Sequence, residues 1–180
     1  DAEKEQVKRW YDGFIFGKSR DIYNPWSILN FLDTGKYTTY WANSSSNSLV
    51  GKLIQEGNRS IKEKFEELMR GKSIFSPIDE QIVYNQLNGK ERAVWSLLLA
   101  SGYLKVLAYE RYPDIPEGSE PKYTLALTNL EVKLMFQNLV RDWFSEAEED
   151  YNGFIKALLA DDTKAMNIYM NRVALSTFSY

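Results

Sequence analysis

The stretch WYDGFIFGKSRDIYNPWSILNFLDTGKYTTYW, from Trp10 to Trp41, constrains this chain more than any other. It crowds aromatic and branched side chains between abrupt backbone punctuation. Asp12-Gly13 and Phe16-Gly17 are turn signals, because glycine takes the positive φ that other residues resist. Asn24-Pro25 marks a helix start: the asparagine side chain can accept from a free first-turn amide, and proline sits where its missing N–H costs nothing. Trp26, Ile28, Leu29 and Leu32 then recur at helical spacing, and Gly35 ends the helix. This pattern predicts a rigid aromatic corner with Trp26 buried at the helix start. It carries no catalytic chemistry of its own.

The residue inventory narrows the chemistry further. With no cysteine and no histidine, disulfides, thiol nucleophiles, thiolate or imidazole metal sites and histidine acid–base mechanisms are all excluded. A metal could bind only through oxygen, which leaves magnesium, calcium or manganese. A net charge of −3 argues against a large uniform basic surface. No apolar run reaches the roughly 20 residues of a membrane span, and DAEKEQVKR is not a signal peptide, so a cytoplasmic location with no membrane partner is expected. Asn43-Ser44-Ser45 and Asn58-Arg59-Ser60 are read as ordinary polar loop residues.

Periodicity supplies the other elements. A helix near 3–10 leads into the corner. After the polar loop ANSSSNS, Leu49, Val50, Leu53 and Ile54 form one apolar stripe; Ile61, Phe65, Leu68 and Met69 form the next, stopped by Gly71. SIFSPIDEQIVYNQL reads as a short strand and a turn, and 89–101 as a helix with Val94, Leu97, Leu98 and Ala100 inward. Two alternating runs, 103–110 and 123–127, flank the loop RYPDIPEGSEP and form a hairpin with a long tip. Asn129 caps a helix to about 146 whose stripe holds Val132, Met135, Phe136, Leu139, Val140 and Trp143. The acidic run 146–150 is read as a break, followed by helices near 152–160 and 163–174. The expected fold is mainly α with a small β component. A helical lid-like region with the aromatic corner (1–72) precedes a winged-helix-like region with one β-hairpin (73–146). A C-terminal helical hairpin (147–180) then leads toward a missing downstream domain.

Several constellations mimic chemistry. Gly17-Lys18-Ser19 and Gly71-Lys72-Ser73 resemble the end of a phosphate loop, but Asp12 and Glu66 stand where the required earlier glycine belongs. Pro113-Asp114 with Glu131-x-Lys133 spells a metal-dependent nuclease signature. Such a site needs its second carboxylate and lysine on one strand face, whereas on a helix i and i+2 diverge by about 200°. Trp10, Tyr11, Tyr23, Trp26, Tyr40 and Trp41 could stack bases, but rings around a helix start fit corner packing better. Lys4, Lys8, Arg9, Lys18 and Arg20 read as solvated charges. In the hairpin, Tyr103 and Tyr109 fall on the outward side and suit a protein partner. A DNA reader would need basic residues that the helix (Lys90 and Arg92 beside Glu91) and the loop (Asp114, Glu117 and Glu120 against Lys122) do not supply.

WYDGF-x-FG, IYNPWSILNFL and YWANSSSN, continued by PIDEQIVYNQL, WSLLLASGYLKV, LTNLEVKLMFQNLV and STFSY, closely resemble the region after the ATPase core in the bacterial AAA-ATPase-like family. Members of that family usually carry a PD-(D/E)XK nuclease-like domain further on. The resemblance implies that Trp10, Tyr11, Asp12, Gly13, Tyr23, Asn24, Pro25, Trp26, Tyr40 and Trp41 are structural motif residues. It also implies that the chain is a middle fragment, a non-catalytic lid and coupling region whose partners are the flanking ATPase and nuclease-like regions. ATP and magnesium would belong to the missing upstream core, with no cofactor in this fragment. Related signalling ATPases place a winged-helix histidine at the nucleotide; this chain has none, so direct nucleotide contact is not expected. The alternatives are a DNA-binding winged-helix module and a nuclease fragment using Glu131 and Lys133.

Overall fold

In the computed structural model, which describes residues 2–41, 47–79 and 90–178, helices predominate over two small antiparallel sheets. Most of the ANSSSNS loop and residues 80–89, expected to continue from a strand into a turn, lie outside the described residues. The chain divides into two compact units, Asp1–Phe136 and Gln137–Tyr180. The expected 1–72 region and residues 73–136 of the expected 73–146 region therefore fall in one unit.

Helix α1 (Ala2–Tyr11) runs into a small hairpin, β1 (Phe14–Phe16) and β2 (Ser19–Ile22), that the sequence pattern had not resolved into strands. Its turn falls at Gly17-Lys18, with Gly17 at φ 61°. The Asn24 amide then donates to the Tyr11 carbonyl at 3.1 Å, bringing the chain back to the end of α1. Helix α2 (Pro25–Thr34) starts as expected: Asn24 Oδ1 accepts from the Ser27 amide at 3.2 Å, and left-handed Gly35 closes the far end.

The orientation of α2 overturns one expectation. Trp26 is 56% exposed, Leu29 64% and Leu32 71%, whereas Ser27 and Phe31 are buried. Residues four apart share a helix face, so turning Ser27 and Phe31 inward sends Trp26, Leu29 and Leu32 outward. What turns Ser27 inward is a buried carboxylate from a distant part of the chain.

Helices α3 (Ser48–Gln55) and α4 (Arg59–Met69) bury Val50, Ile54, Ile61, Phe65 and Leu68, the stripes anticipated from spacing. Asn58 caps α4 by accepting from the Ile61 amide at 3.0 Å. Strand β3 (Ile74–Ser76), helix α5 (Glu91–Ala100), strand β4 (Leu104–Tyr109) and strand β5 (Tyr123–Leu127) follow, with a 3₁₀ turn (Tyr112–Asp114) in the loop between β4 and β5. The antiparallel sheet has the order β3-β5-β4, so β3 and β4 are its edges. A bulge at Leu107 shifts the β4–β5 register between Val106 and Ala108.

The core of this unit gathers Trp95, Leu98, Leu125, Val132 and Phe136, all essentially inaccessible to solvent. Rings link it to the corner: Phe14 meets Trp41, Trp41 meets Tyr103, Tyr103 meets Phe136, and Phe136 meets Phe65, at centroid separations of 5.2–5.8 Å. Of the aromatic motif, Tyr11 and Phe31 are buried, Trp10, Phe14, Tyr23, Tyr37, Tyr40 and Trp41 are half-buried, and Trp26 is exposed.

Helix α6 (Leu130–Leu159) starts where Asn129 Oδ1 accepts from the Val132 amide at 3.1 Å. It does not break at 146–150. Glutamate and alanine are good helix formers, so a charged run need not interrupt a helix. In the second unit a short turn with Asp161 at φ 57° leads to α7 (Thr163–Phe178), capped by Asp162, whose Oδ1 accepts from the Ala165 amide at 3.0 Å. Ala157 is buried there, while Leu158, Ile168 and Met170 are about half exposed.

Candidate functional site

Glu131 stands in the first turn of α6 and is completely buried. An ionised carboxylate survives burial only if its oxygens are satisfied by donors. Oε1 accepts from the Tyr40 amide at 2.7 Å and the Trp41 amide at 2.8 Å, while the Ser27 hydroxyl reaches Oε2 at 2.8 Å. The corner therefore closes on a charge delivered from the far side of the sequence. Nothing in the local pattern announces this partnership; the one available signal is that Ser27 lies four residues before Phe31, on the same side of α2.

These contacts tie Glu131 into the aromatic corner. Lys133 is half-buried beside a shallow cavity of about 240 Å³ that Arg9 and Lys72 also line. Asp114 is exposed in the β4–β5 loop. Among the described residues no group of three potential acidic metal ligands comes together. Gly17-Lys18 forms the tip of the β1–β2 hairpin, and Gly71 follows the end of α4. Lys8 sits 3.4 Å from Asp21 and 3.8 Å from Asp12, so part of the basic cluster is internally balanced.

Tyr11 anchors the same corner. Its hydroxyl donates to the Thr38 carbonyl at 3.0 Å and accepts from the Thr38 amide at 3.1 Å. Burial pushes its phenol up to about 12. The neutral form is thus the folded form, and its contribution to stability is complete below the unfolded value of about 10 and lost as pH rises through about 12. Urea unfolding should show stability falling across that window by roughly 2–3 kcal/mol more in this protein than in Tyr11→Phe. Equal slopes for the two proteins would show that Tyr11 ionises freely.

The two hairpin tyrosines separate. Tyr103 is 5% exposed, its ring between Trp41 and Phe136 and its hydroxyl donating to Asn47 Oδ1 at 2.8 Å. It belongs to the core, because it follows Gly102 at the start of the hairpin, where the ring turns inward. Tyr109 is 55% exposed and remains available.

Comparisons with protein-family models, curated proteins and solved structures find no match for this chain. The molecule's own surface must supply the functional argument. Two features stand out: the apolar face of α2, and a groove of about 680 Å³ between the β1–β2 hairpin and strand β4. Among the described residues no helix is long and apolar enough to cross a membrane.

Proposed function

We propose that this chain is a non-catalytic coupling region of a larger AAA-type ATPase, passing nucleotide state toward a nuclease-like domain by protein–protein contact. The observation that carries it is α2. A helix firmly capped at both ends presents Trp26, Leu29 and Leu32 to solvent, while the polar Ser27 is buried. Large aromatic and aliphatic side chains grouped on one exposed face are the usual anchors of a protein interface. The occupant proposed is a flanking region of the same parent protein. The element order α4-β3-α5-β4-β5 with sheet order β3-β5-β4 supports the winged-helix-like description of 73–146.

A DNA-reading role fits less well. Helix α5 turns Ala93, Val94, Trp95, Ser96 and Leu98 into the core, and its Arg92 is held by Glu120 at 3.0 Å. The test is binding to the parent's ATPase and nuclease-like regions supplied in trans. Trp26→Ala should cost under ~1 kcal/mol of folding stability, because a side chain this exposed lacks a cavity to leave. Leu29→Glu should weaken the association by roughly tenfold or more while the chain stays folded. Unchanged binding by both variants would overturn the assignment of this face. Tight, strongly salt-dependent binding of duplex DNA with no affinity for either region would replace coupling by DNA reading.

A further inference from the structure

The edges of the three-stranded sheet are treated differently. Strand β3 has only three residues, and the Lys64 ammonium donates to the Phe75 carbonyl at 2.9 Å, blunting that side. Strand β4 has six residues, and its outer side faces the large groove. Its register determines which backbone groups face there. The Thr128 amide donates to the Tyr103 carbonyl at 3.2 Å, and the Glu110 amide donates to the Lys122 carbonyl at 3.0 Å. Antiparallel pairs alternate between bonded and non-bonded positions, so Leu104 and Val106 before the Leu107 bulge and Tyr109 after it direct their N–H and C=O groups away from β5; Leu104 is buried, which leaves Val106 and Tyr109 as the accessible positions. Among the described residues no backbone bond links these groups to the β1–β2 hairpin across the groove.

The groove also has a single sign of charge. Among the described residues Arg20, Lys105 and Arg111 line it and no carboxylate does, on a chain whose net charge is −3. We infer that β4 receives an extended, acidic segment of a partner protein as an added strand, with main-chain bonds at Val106 and Tyr109 and carboxylates against Arg20, Lys105 and Arg111. Strand addition of this kind takes its affinity from the backbone and its selectivity from side chains along the edge.

Single-stranded nucleic acid is the competing occupant, and two observations disfavour it. The Tyr109 and Tyr123 rings stack on each other at 5.9 Å, and the Arg111 guanidinium lies 5.9 Å from the Tyr109 ring, so that aromatic surface is already occupied. Stacking platforms for bases need open ring faces. A strand edge also offers alternating donors and acceptors that a phosphodiester backbone cannot match.

That the partner is a protein rests on the coupling function proposed above. Binding to the full chain can be measured by fluorescence anisotropy with three labelled probes: a short peptide alternating valine and glutamate, its valine–lysine counterpart, and an oligothymidylate. The glutamate peptide should bind at least roughly tenfold tighter than the lysine peptide, and less tightly as salt rises. It should slow hydrogen exchange at the Val106 and Tyr109 amides. The double variant Arg20→Glu/Arg111→Glu should lose roughly tenfold or more of that affinity. So should Val106→Pro, which removes an outward amide and leaves the β5 ladder intact; thermal melting verifies that each variant is folded. No binding of the glutamate peptide up to ~1 mM, equal binding of the lysine peptide, or no protection at those amides overturns the inference. Preference for the oligothymidylate overturns it in favour of a nucleic-acid groove. Because the α2 variants probe a different face, loss of peptide binding with retained binding of the flanking regions rejects the groove alone.

Discussion

Glu131→Ala is expected to cost about 3–5 kcal/mol of folding free energy, enough to threaten the native state of a domain this size. The substitution removes the acceptor shared by the Ser27 hydroxyl and the Tyr40 and Trp41 amides. Each buried donor that loses such an acceptor contributes a desolvation cost of roughly 1–3 kcal/mol, and the deleted side chain leaves a cavity besides. Glu131→Gln should fall between the two proteins, since it keeps one acceptor oxygen but turns an amide NH₂ toward groups that already donate. Urea unfolding of the three proteins measures this directly. A loss under ~1 kcal/mol for the alanine variant would mean that the carboxylate does not hold the corner.

Gly13→Ala is expected to be nearly as damaging, at about 3 kcal/mol or more, although it adds one methyl group. Gly13 holds φ at 111°, and a Cβ there would stand 2.2 Å from the Thr128 carbonyl oxygen. That oxygen belongs to backbone fixed between β5 and α6, so it cannot swing aside as a flexible side chain could. Gly17 provides the internal control. It also has positive φ, yet its missing side chain faces open space, so Gly17→Ala should cost only about 1–2 kcal/mol. Similar losses at both positions would show that the close approach at Gly13 is absent.

The sequence carried a good deal of this architecture because much of it is local. Asn24 and Asn129 each cap the helix expected to follow, and the alternation on either side of RYPDIPEGSEP became β4 and β5; Asn58-Arg59-Ser60, read as loop residues, instead cap and open α4. Its failures share one cause. Periodicity locates an apolar face but says nothing of what lies opposite, and Ser27 and Glu131 are 104 residues apart. Trp26 was therefore assigned to the interior that Ser27 and Phe31 occupy. Tyr103 misled in the opposite direction, because strict alternation placed at the surface a ring that the chain turns into the core. The groove along β4 was equally hidden: Arg20 and Arg111 are far apart in sequence, and only the packing of two hairpins brings them to one cavity.

The distance between Glu131 and its partners also bears on how the chain reaches its native state. Contacts between remote segments require a long loop to close before they return any free energy, which slows folding. A chain emerging from the ribosome displays Ser27 and Tyr40 well before residue 131 is synthesised, so the aromatic corner must wait for its acceptor. Its assembly is thus placed late, after helices α3 and α4 can have formed from neighbouring residues. A polypeptide ending at residue 72 would never receive the carboxylate. It would expose rings that normally pack on Tyr103 and Phe136 through Trp41, and it would behave as a sticky intermediate rather than an independent module.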